Sequence, residues 1–182
     1  MKINTSCPVL VTGATGYIAG WVVKNLLDKG ITVHAPIRNL SNKGKRAHLD
    51  ELAENSSGQI KYFESDLLIK NSYKEAMEGC ELVIHTASPF VMDSKDPQKE
   101  VIDPALIGTQ NVLKTVNEVD SVKRVVLTSS VAAIYGNGVD AQSVDGGIFN
   151  ESMWNTTSTA TDGEYSYSKT IAEKEAWRIN EE

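Results

Sequence analysis

Short apolar runs, separated by stretches of helical periodicity, organise this sequence. Five short, mostly apolar runs have the length of parallel strands, and the first, Val-Leu-Val, has the composition of a buried one. They occupy residues 9–11, 31–37, 60–64, 81–87 and 122–127. Between and after them, apolar residues recur at helical spacing over 18–27, 47–53, 101–116 and 165–180. This alternation predicts an α/β protein with a Rossmann-like, doubly wound parallel sheet.

A glycine turn joins the first predicted strand to the first helix. Gly13 allows a tight turn, and Gly16 allows the backbone to approach a pyrophosphate, whose charge a helix N-terminus favours. Ala19 stands where this dinucleotide-binding pattern has its third glycine, and alanine is an accepted variant there. An ordinary strand-to-helix turn is the alternative. The candidate cofactor contacts of the turn are Gly13, Thr15, Gly16, Tyr17 and Ile18.

Basic residues follow the second strand, where an NAD-binding protein carries an acidic side chain. Arg38 can bind a phosphate with two hydrogen bonds, and Lys45 can add a point charge. We therefore predict NADP(H) as the cofactor, with a solvated basic helix start as the alternative. Pro36 predicts that the second strand stops pairing near its end.

The ends of the third and fourth strands supply further candidate contacts. Asp66, followed by Leu67, is either an acceptor for the adenine amino group or the N-cap of the next helix. The backbone of Thr86, Ala87 and Ser88 is expected to face the cofactor. Ligands of open α/β sheets bind at the carboxyl ends of the strands, which is the reason for that expectation.

Length, net charge and cysteine count limit the classes of protein to which this chain can belong. The length of 182 residues predicts one domain, and the net charge of -6 argues against nucleic acid or an anionic membrane as partner. Cys7 and Cys80 fit neither a disulfide framework nor a metal site, and we expect both to pack as small apolar residues. His85, inside an apolar strand, is expected to be a satisfied core histidine. An early strand and the lack of a long apolar run predict no signal peptide, no membrane span and a cytoplasmic location.

Two segments after the fifth strand carry candidate chemistry. Residues from Gly136 to Gly163 predict a long loop, which in a compact domain is often functional. Tyr165 and Lys169 then lie four residues apart on one face of the last helix. A fixed ammonium favours the ionised form of a phenol, so the pair suits proton transfer near neutral pH. A serine at the end of the fifth strand can donate to a carbonyl or alkoxide oxygen.

Together these motifs resemble the extended short-chain dehydrogenase/reductase superfamily. The resemblance rests on Thr-Gly-Ala-Thr-Gly-Tyr-Ile-Ala-Gly at 12–20, Thr-Ser-Ser at 128–130 and Tyr-Ser-Tyr-Ser-Lys at 165–169. The chain is most similar to the branch that contains dihydroflavonol reductase, cinnamoyl-CoA reductase and NADPH-dependent aldehyde or methylglyoxal reductases. The matches to that branch lie at 85–90, 94–97, 107–113 and 151–155.

The resemblance implies an NADPH-dependent carbonyl reductase in which hydride passes from the nicotinamide to an aldehyde or ketone. It implies that Tyr165 is the catalytic acid/base, and that Lys169 both tunes it and binds the nicotinamide ribose. The oxygen-binding serine would be Ser130, with Ser129 in that role if the strand ends one residue earlier. Asn111 matches an asparagine that helps to hold a proton-relay water in related enzymes.

The resemblance also has consequences for domain organisation. Family members continue into a C-terminal lobe that closes over the substrate, so residues 1–182 resemble the NADP(H)-binding domain, with an active-site loop at 136–164 and the substrate lobe absent. Arg38 and Lys45 match the contacts of the branch to the 2′-phosphate. The long helices after the fourth and fifth strands resemble those that form a homodimer interface in relatives.

Two other functions stay open. A nucleotide-sugar epimerase or dehydratase uses the same triad, although such enzymes usually place three residues between the serine and a following tyrosine. Here four residues separate Ser130 from Tyr135, as in the reductases. A non-catalytic dinucleotide-binding module is the third possibility, because a chain without a substrate lobe would still hold a cofactor.

Overall fold

The computed structural model describes residues 4–91 and 93–181. The chain divides into two compact units. The sheet unit comprises Met1–Ala87 and Lys114–Thr128, and the helical unit comprises Ser88–Leu113 and Ser129–Glu182. Both units carry residues that the sequence marks as candidate site residues.

Among the described residues, the sheet unit contains five parallel strands in the order β3-β2-β1-β4-β5. The strands are β1 (Val9–Thr12), β2 (Thr32–Ile37), β3 (Gln59–Glu64), β4 (Leu82–His85) and β5 (Arg124–Leu127). The helices are α1 (Tyr17–Leu27), α2 (Lys43–Glu54), α3 (Lys74–Met77), α4 (Asp103–Asn117) and α5 (Glu164–Glu181). The strand order reverses between β1 and β4, which is where open α/β sheets bind their ligands. The predicted Rossmann-like fold is confirmed.

One face of the sheet packs against α1 and α2. Val23 and Leu27 of α1, with Leu49 of α2, are fully buried in a cluster that includes Val33 of β2. Ala19 is only 2% exposed in the same cluster, so a small side chain at this position lets α1 pack closely on the sheet. The alanine variant of the glycine pattern therefore has a packing role here.

The opposite face of the sheet packs against α3. His34 alternates with Val33 along β2, and its Nδ1 lies 2.7 Å from the carbonyl oxygen of Ala76 in α3. Its ring centroid lies 4.7 Å from that of Phe63. Burial lowers the pKa of His34 below its ordinary value. Helices on both faces make the sheet doubly wound, as predicted.

Two local predictions differ from the structure. β2 pairs with β3 through Ile37, so the predicted end of pairing at Pro36 is wrong on that side; pairing with β1 extends only to His34. Asp66 does not cap a helix, because the next helix begins at Lys74 and the Asp66 carboxylate instead accepts from the backbone N–H of Leu68 at 2.8 Å.

The polar segment before α4 has helical structure although Pro97 and Pro104 punctuate it. A π-helical turn over Gln98–Ile102 leads directly into α4 there. Val101 and Ile102 are buried in this turn, and Pro104 falls in the first turn of α4, where the missing N–H of proline is best tolerated. Burial of the two apolar side chains therefore extends the helical structure through a proline-punctuated segment.

The long loop of the helical unit is held by hydrogen bonds around Asn155. This side chain is 5% exposed; it donates to the carbonyl oxygen of Ala132 at 3.0 Å and accepts from the backbone N–H groups of Thr157 and Ser158, each at 3.1 Å. Asp140 adds a second anchor by accepting from the Thr157 hydroxyl at 2.7 Å. Short 3₁₀ turns over Gly138–Ser143 and Asp145–Gly147 lie within the loop. Most of the segment thus has a definite conformation despite its weak periodicity.

The remaining expectations concern cysteines, membranes and metals. Cys80 is buried and Cys7 is half-buried, as expected for small apolar residues. In the part of the chain that the structure describes, no helix has the length and apolar character needed to cross a bilayer. Within that part, no group of three or more His, Cys, Asp and Glu side chains is arranged to hold a metal ion.

Candidate active site

The glycine turn after β1 has the geometry of a phosphate-binding turn. Gly13 has φ +67°, and its carbonyl oxygen accepts from the backbone N–H of Gly16 at 2.8 Å. A Cβ at Gly13 would lie 3.0 Å from the Cα of Ala87, so a larger residue would crowd Ala87 in addition to straining the left-handed backbone. α1 begins at Tyr17 without a side-chain cap and without an acidic residue in its first turn. Its first N–H groups therefore suit an external anion.

The other predicted contacts of this turn lie beside Gly13. Thr15 is half-buried, whereas Gly16, Tyr17 and Ile18 are exposed. These three residues at the start of α1 are thus open to solvent, where a phosphate group could approach the helix N-terminus. The structure therefore brings together the five candidate residues of the turn.

Thr12 fixes the backbone that closes on Gly13. Its Oγ1 accepts from the N–H groups of Thr86 at 3.1 Å and Ala87 at 3.0 Å, and lies 2.7 Å from Nδ1 of His85. Because a hydroxyl has two acceptor sites and one hydrogen, that hydrogen goes to Nδ1, which leaves the His85 proton on Nε2. His85 is 3% exposed and is the satisfied core histidine that the sequence predicts. The carboxyl ends of β1 and β4 are thereby held together.

The basic residues after β2 fall into two groups. Arg46 stacks on the ring of Tyr62, 4.5 Å from its centroid, and its Nε lies 3.5 Å from the carboxylate of Asp50. Arg38 and Lys45 are exposed, and neither forms a salt bridge with any residue that the structure describes. Arg46 therefore has a structural use, whereas Arg38 and Lys45 present unpaired positive charge.

The residues past β3 form a compact turn. The hydroxyl of Ser72 donates to the carbonyl oxygen of Asp66 at 2.7 Å and accepts from its N–H at 3.1 Å. Leu67 is the next residue and is half-buried. These bonds hold the end of β3 in a fixed conformation. Contact of Asp66 or Leu67 with an adenine stays a prediction.

In the helical unit, the predicted phenol and ammonium lie together at the start of α5. Nζ of Lys169 lies 5.3 Å from the centroid of the Tyr165 ring. Phe90 packs edge-on against the same ring at 5.2 Å, which orients it. Burial lowers the pKa of Lys169 to about 8. Among the described residues, no carboxylate forms a salt bridge with this ammonium.

The two candidate serines differ in their hydrogen bonds. Ser130 precedes a 3₁₀ turn over Val131–Ala133, and its Oγ accepts from the N–H of Ala132 at 3.2 Å. That bond leaves the hydroxyl hydrogen available to an oxygen of a substrate. Ser129 instead donates its hydrogen to the carboxylate of Glu173 on α5. Of the two, Ser130 is the better donor to a bound carbonyl.

Two further candidates lie on the same unit. Asn111 is half-buried in the middle of α4, and Ser88 is half-buried at the first position of the unit. The sequence prediction did not include Thr12 or the bond between Ser129 and Glu173. No local signal in the sequence indicates the latter, because Ser129 and Glu173 are 44 positions apart.

Comparison with known proteins agrees with this geometry. Residues 9–182 match the NAD dependent epimerase/dehydratase family. Cinnamoyl-CoA reductase CAD2 of Medicago truncatula is 43% identical over 98% of this chain and 55% of its own length. A putative anthocyanidin reductase of Ginkgo biloba is 41% identical over 96% of this chain and 51% of its own length. The chain thus spans about half the length of the curated relatives it matches.

A solved structure shows the same architecture. Gre2 of Candida albicans, in complex with NADPH, superposes with a TM-score of 0.80 and 33% identity, over 96% of this chain and 53% of that protein. The expected similarity to reductases of the dihydroflavonol and cinnamoyl-CoA type is confirmed, since a dihydroflavonol 4-reductase of Gerbera hybrida also matches at 35% identity. From its strand order, its glycine turn and its match over residues 9–182, this chain belongs to the NAD dependent epimerase/dehydratase family.

Proposed function

We propose that this protein is an NADP(H)-dependent carbonyl reductase that acts on aldehydes or ketones. The observation that carries the proposal is the half-buried, unpaired ammonium of Lys169 beside the ring of Tyr165. Burying a charge without a partner is costly, and such groups cluster at functional sites. The reductases among its relatives, and the NADPH complex of Gre2, support the same conclusion.

The residues of the sheet unit suit the phosphates of NADP(H). Gly13, Thr15 and Gly16, with the N–H groups of Tyr17 and Ile18, would hold the pyrophosphate at the start of α1. The absence of a competing cap or acidic side chain at this helix end is what makes the fit good.

Arg38 and Lys45 would bind the 2′-phosphate, which distinguishes NADP(H) from NAD(H). Their lack of salt bridges within the described chain leaves their charge available for a phosphate. Asp66 and Leu67 would contact the adenine. The backbone of Thr86, Ala87 and Ser88 would contact the rest of the dinucleotide.

When bound, the cofactor would supply the hydride, and side chains of the protein would supply the proton. Tyr165 would donate its phenolic proton to the oxygen of the reacting carbonyl, while Ser130 would donate a hydrogen bond to the same oxygen. Lys169 would favour the phenolate that results and would bind the nicotinamide ribose. Asn111 would hold a water through which the proton is replaced.

The experiment that tests this proposal measures NADPH oxidation by the full-length gene product with a panel of aldehydes, ketones and flavonoids. Tyr165→Phe is expected to lower kcat by at least about 100-fold, the usual size of a general acid–base contribution, while NADPH still binds. Tyr167→Phe, two residues away on the same helix, is the matched control and should keep wild-type turnover. Wild-type kcat in Tyr165→Phe would refute the assigned proton donor.

The two alternatives give different results in the same assays. The family that the chain matches includes epimerases and dehydratases, so turnover of a UDP-sugar together with co-purified NAD would favour that chemistry. Saturable NADPH binding with no turnover of any tested substrate by the full-length gene product would favour a non-catalytic module.

A further inference from the structure

Helix α5 places a carboxylate one turn beyond the proposed catalytic lysine. Tyr165, Lys169, Glu173 and Trp177 follow one another at intervals of four residues, so each neighbours the next on one side of the helix. Lysine and glutamate at this spacing commonly form an ion pair. Among the described residues, Lys169 and Glu173 do not form one.

The carboxylate of Glu173 is engaged elsewhere. One oxygen, Oε2, accepts the hydroxyl hydrogen of Ser129, and the other, Oε1, accepts from Nε1 of Trp177 at 3.3 Å. A hydrogen bond to an ionised acceptor is about twice as strong as one between neutral groups. Both carboxylate oxygens are therefore engaged by Ser129 and Trp177, and in the described structure the carboxylate forms no ion pair with Lys169.

The location of Ser129 explains how it can fix this geometry. It lies two residues beyond the end of β5, and the next residue, Ser130, caps the 131–133 turn that packs against α5. Its hydroxyl is therefore carried by backbone that is held against the helix. A side chain in such a position can hold a partner on the helix in one rotamer.

We propose that Ser129 is a positioning residue, which holds the Glu173 carboxylate away from Lys169 so that the ammonium stays free to act on Tyr165 and on the cofactor ribose. The inference rests on the proposed function for the role of Lys169. It gives the two adjacent serines separate tasks: Ser130 contacts the substrate oxygen, and Ser129 controls the charge environment of the lysine.

The surroundings of Lys169 make it sensitive to a carboxylate. Burial already lowers its pKa to about 8, and its Nζ lies 5.3 Å from the centroid of the Tyr165 ring. The 131–133 turn, which packs against α5, contains only Val and Ala. An approaching carboxylate would favour the charged form of Lys169 and raise its pKa.

Charged residues of the other segments that pack against α5 have partners of their own. The 98–102 turn carries Lys99 and Glu100, and α4 contributes Gln110 opposite Glu175 of α5. Their bonds pair Lys99 with Asp96 at 2.9 Å, Glu100 with Ser94 at 2.9 Å, and Glu175 with Gln110 at 2.8 Å. Glu173, by contrast, lies one helical turn from Lys169 on the same side of α5, so its carboxylate is well placed to approach this ammonium.

The test is an NMR titration of the lysine side-chain 13Cε and 15Nζ resonances in the cofactor-free protein, for wild type, Ser129→Ala, Ser129→Thr, Glu173→Gln and the double variant Ser129→Ala/Glu173→Gln. In Ser129→Ala, the midpoint of Lys169 should rise by at least about one pH unit, as expected when an opposite charge approaches. Ser129→Thr keeps the hydroxyl and should match wild type. The double variant should return to the wild-type midpoint, because a carboxamide carries no charge.

Two outcomes would overturn the proposal. The first concerns the Ser129→Ala change: the Lys169 midpoint either equals that of wild type in Ser129→Ala, or is still raised when Glu173→Gln is added. The other is a fall of the midpoint in Glu173→Gln alone, which would mean that the carboxylate already acts on Lys169; this arm does not depend on the folding of Ser129→Ala. Because the titration needs neither cofactor nor turnover, an absence of reductase activity would refute the proposed function without deciding this result.

Discussion

Nζ of Lys169 lies 5.3 Å from the centroid of the Tyr165 ring, and burial of this ammonium lowers its pKa to about 8. The ordinary value for lysine is 10.5, so the unfolded chain binds more protons than the folded one between these two pH values. The free energy of unfolding should therefore increase with pH from about 8 to about 10.5. Below pH 8 the full cost of the buried charge is present.

The first prediction is that Lys169→Met stabilises the fold while abolishing turnover. At pH 7 the free energy of unfolding should increase by on the order of 1 to 3 kcal/mol, because an apolar side chain replaces a buried charge. The advantage should shrink as pH rises through 8 to 10.5. Urea unfolding at several pH values measures the gain in stability and its pH dependence. Lys174→Met, at an exposed position on the same helix, should retain the wild-type pH dependence. A less stable Lys169→Met protein at pH 7 would contradict the prediction.

The second prediction concerns the glycine turn. Gly13→Ala should weaken NADPH binding by at least about 10-fold and destabilise the fold by about 1 to 2 kcal/mol, because it combines a left-handed backbone with a Cβ 3.0 Å from Ala87. Gly79→Ala is the matched control: its φ is +77°, but a Cβ there meets nothing within 4 Å. Fluorescence titration with NADPH and urea unfolding separate the steric effect from backbone strain. Equal losses in both variants would show that the approach of Ala87 is unimportant.

The third prediction concerns the choice between NADPH and NADH. Arg38→Ala should weaken NADPH binding about 10- to 100-fold, as expected for the loss of a charge-assisted contact, and should leave NADH binding nearly unchanged. Arg46→Ala should instead reduce stability through the lost contacts with Tyr62 and Asp50, with no change in the NADPH/NADH preference. Calorimetric titration with both dinucleotides makes the comparison. Equal loss of NADPH and NADH affinity in Arg38→Ala would argue against a 2′-phosphate contact.

The fourth prediction concerns the anchored loop. Asn155→Ala removes the group that joins Ala132 to Thr157 and Ser158, and leaves their N–H groups and carbonyl oxygen without this partner. The cost should be about 2 kcal/mol or more, and protease cleavage within residues 136–163 should become faster. Asn150→Ala, which removes only two local bonds from the exposed Ser152, should change neither measurement appreciably. Unchanged cleavage in Asn155→Ala would show that the loop is held by other contacts.

Local patterns were enough for most of the fold. Each strand of the sheet was predicted within a few residues. The clearest case is the fully buried β1, because a buried parallel strand needs a continuous apolar run that is visible in the sequence. The errors arose where a single residue was given too much weight. Pro36 removes one N–H donor, yet β2 continues to pair with β3 beyond it, because the neighbouring residues still form the ladder.

The amino-acid sequence by itself determined the α/β class, the glycine turn and the spacing of Tyr165 and Lys169, since these depend on residues close together along the chain. Only the tertiary structure decided which polar groups are already occupied. It shows that Thr12 binds the backbone at Thr86 and Ala87 and that Asn155 holds the loop. It also shows that the hydroxyl of Ser129, and not that of Ser130, already donates a hydrogen bond within the protein. Hydrogen bonds between residues 23 to 75 positions apart produce no periodic pattern in a sequence, because the identity of a polar residue does not show whether its side chain is hydrogen-bonded.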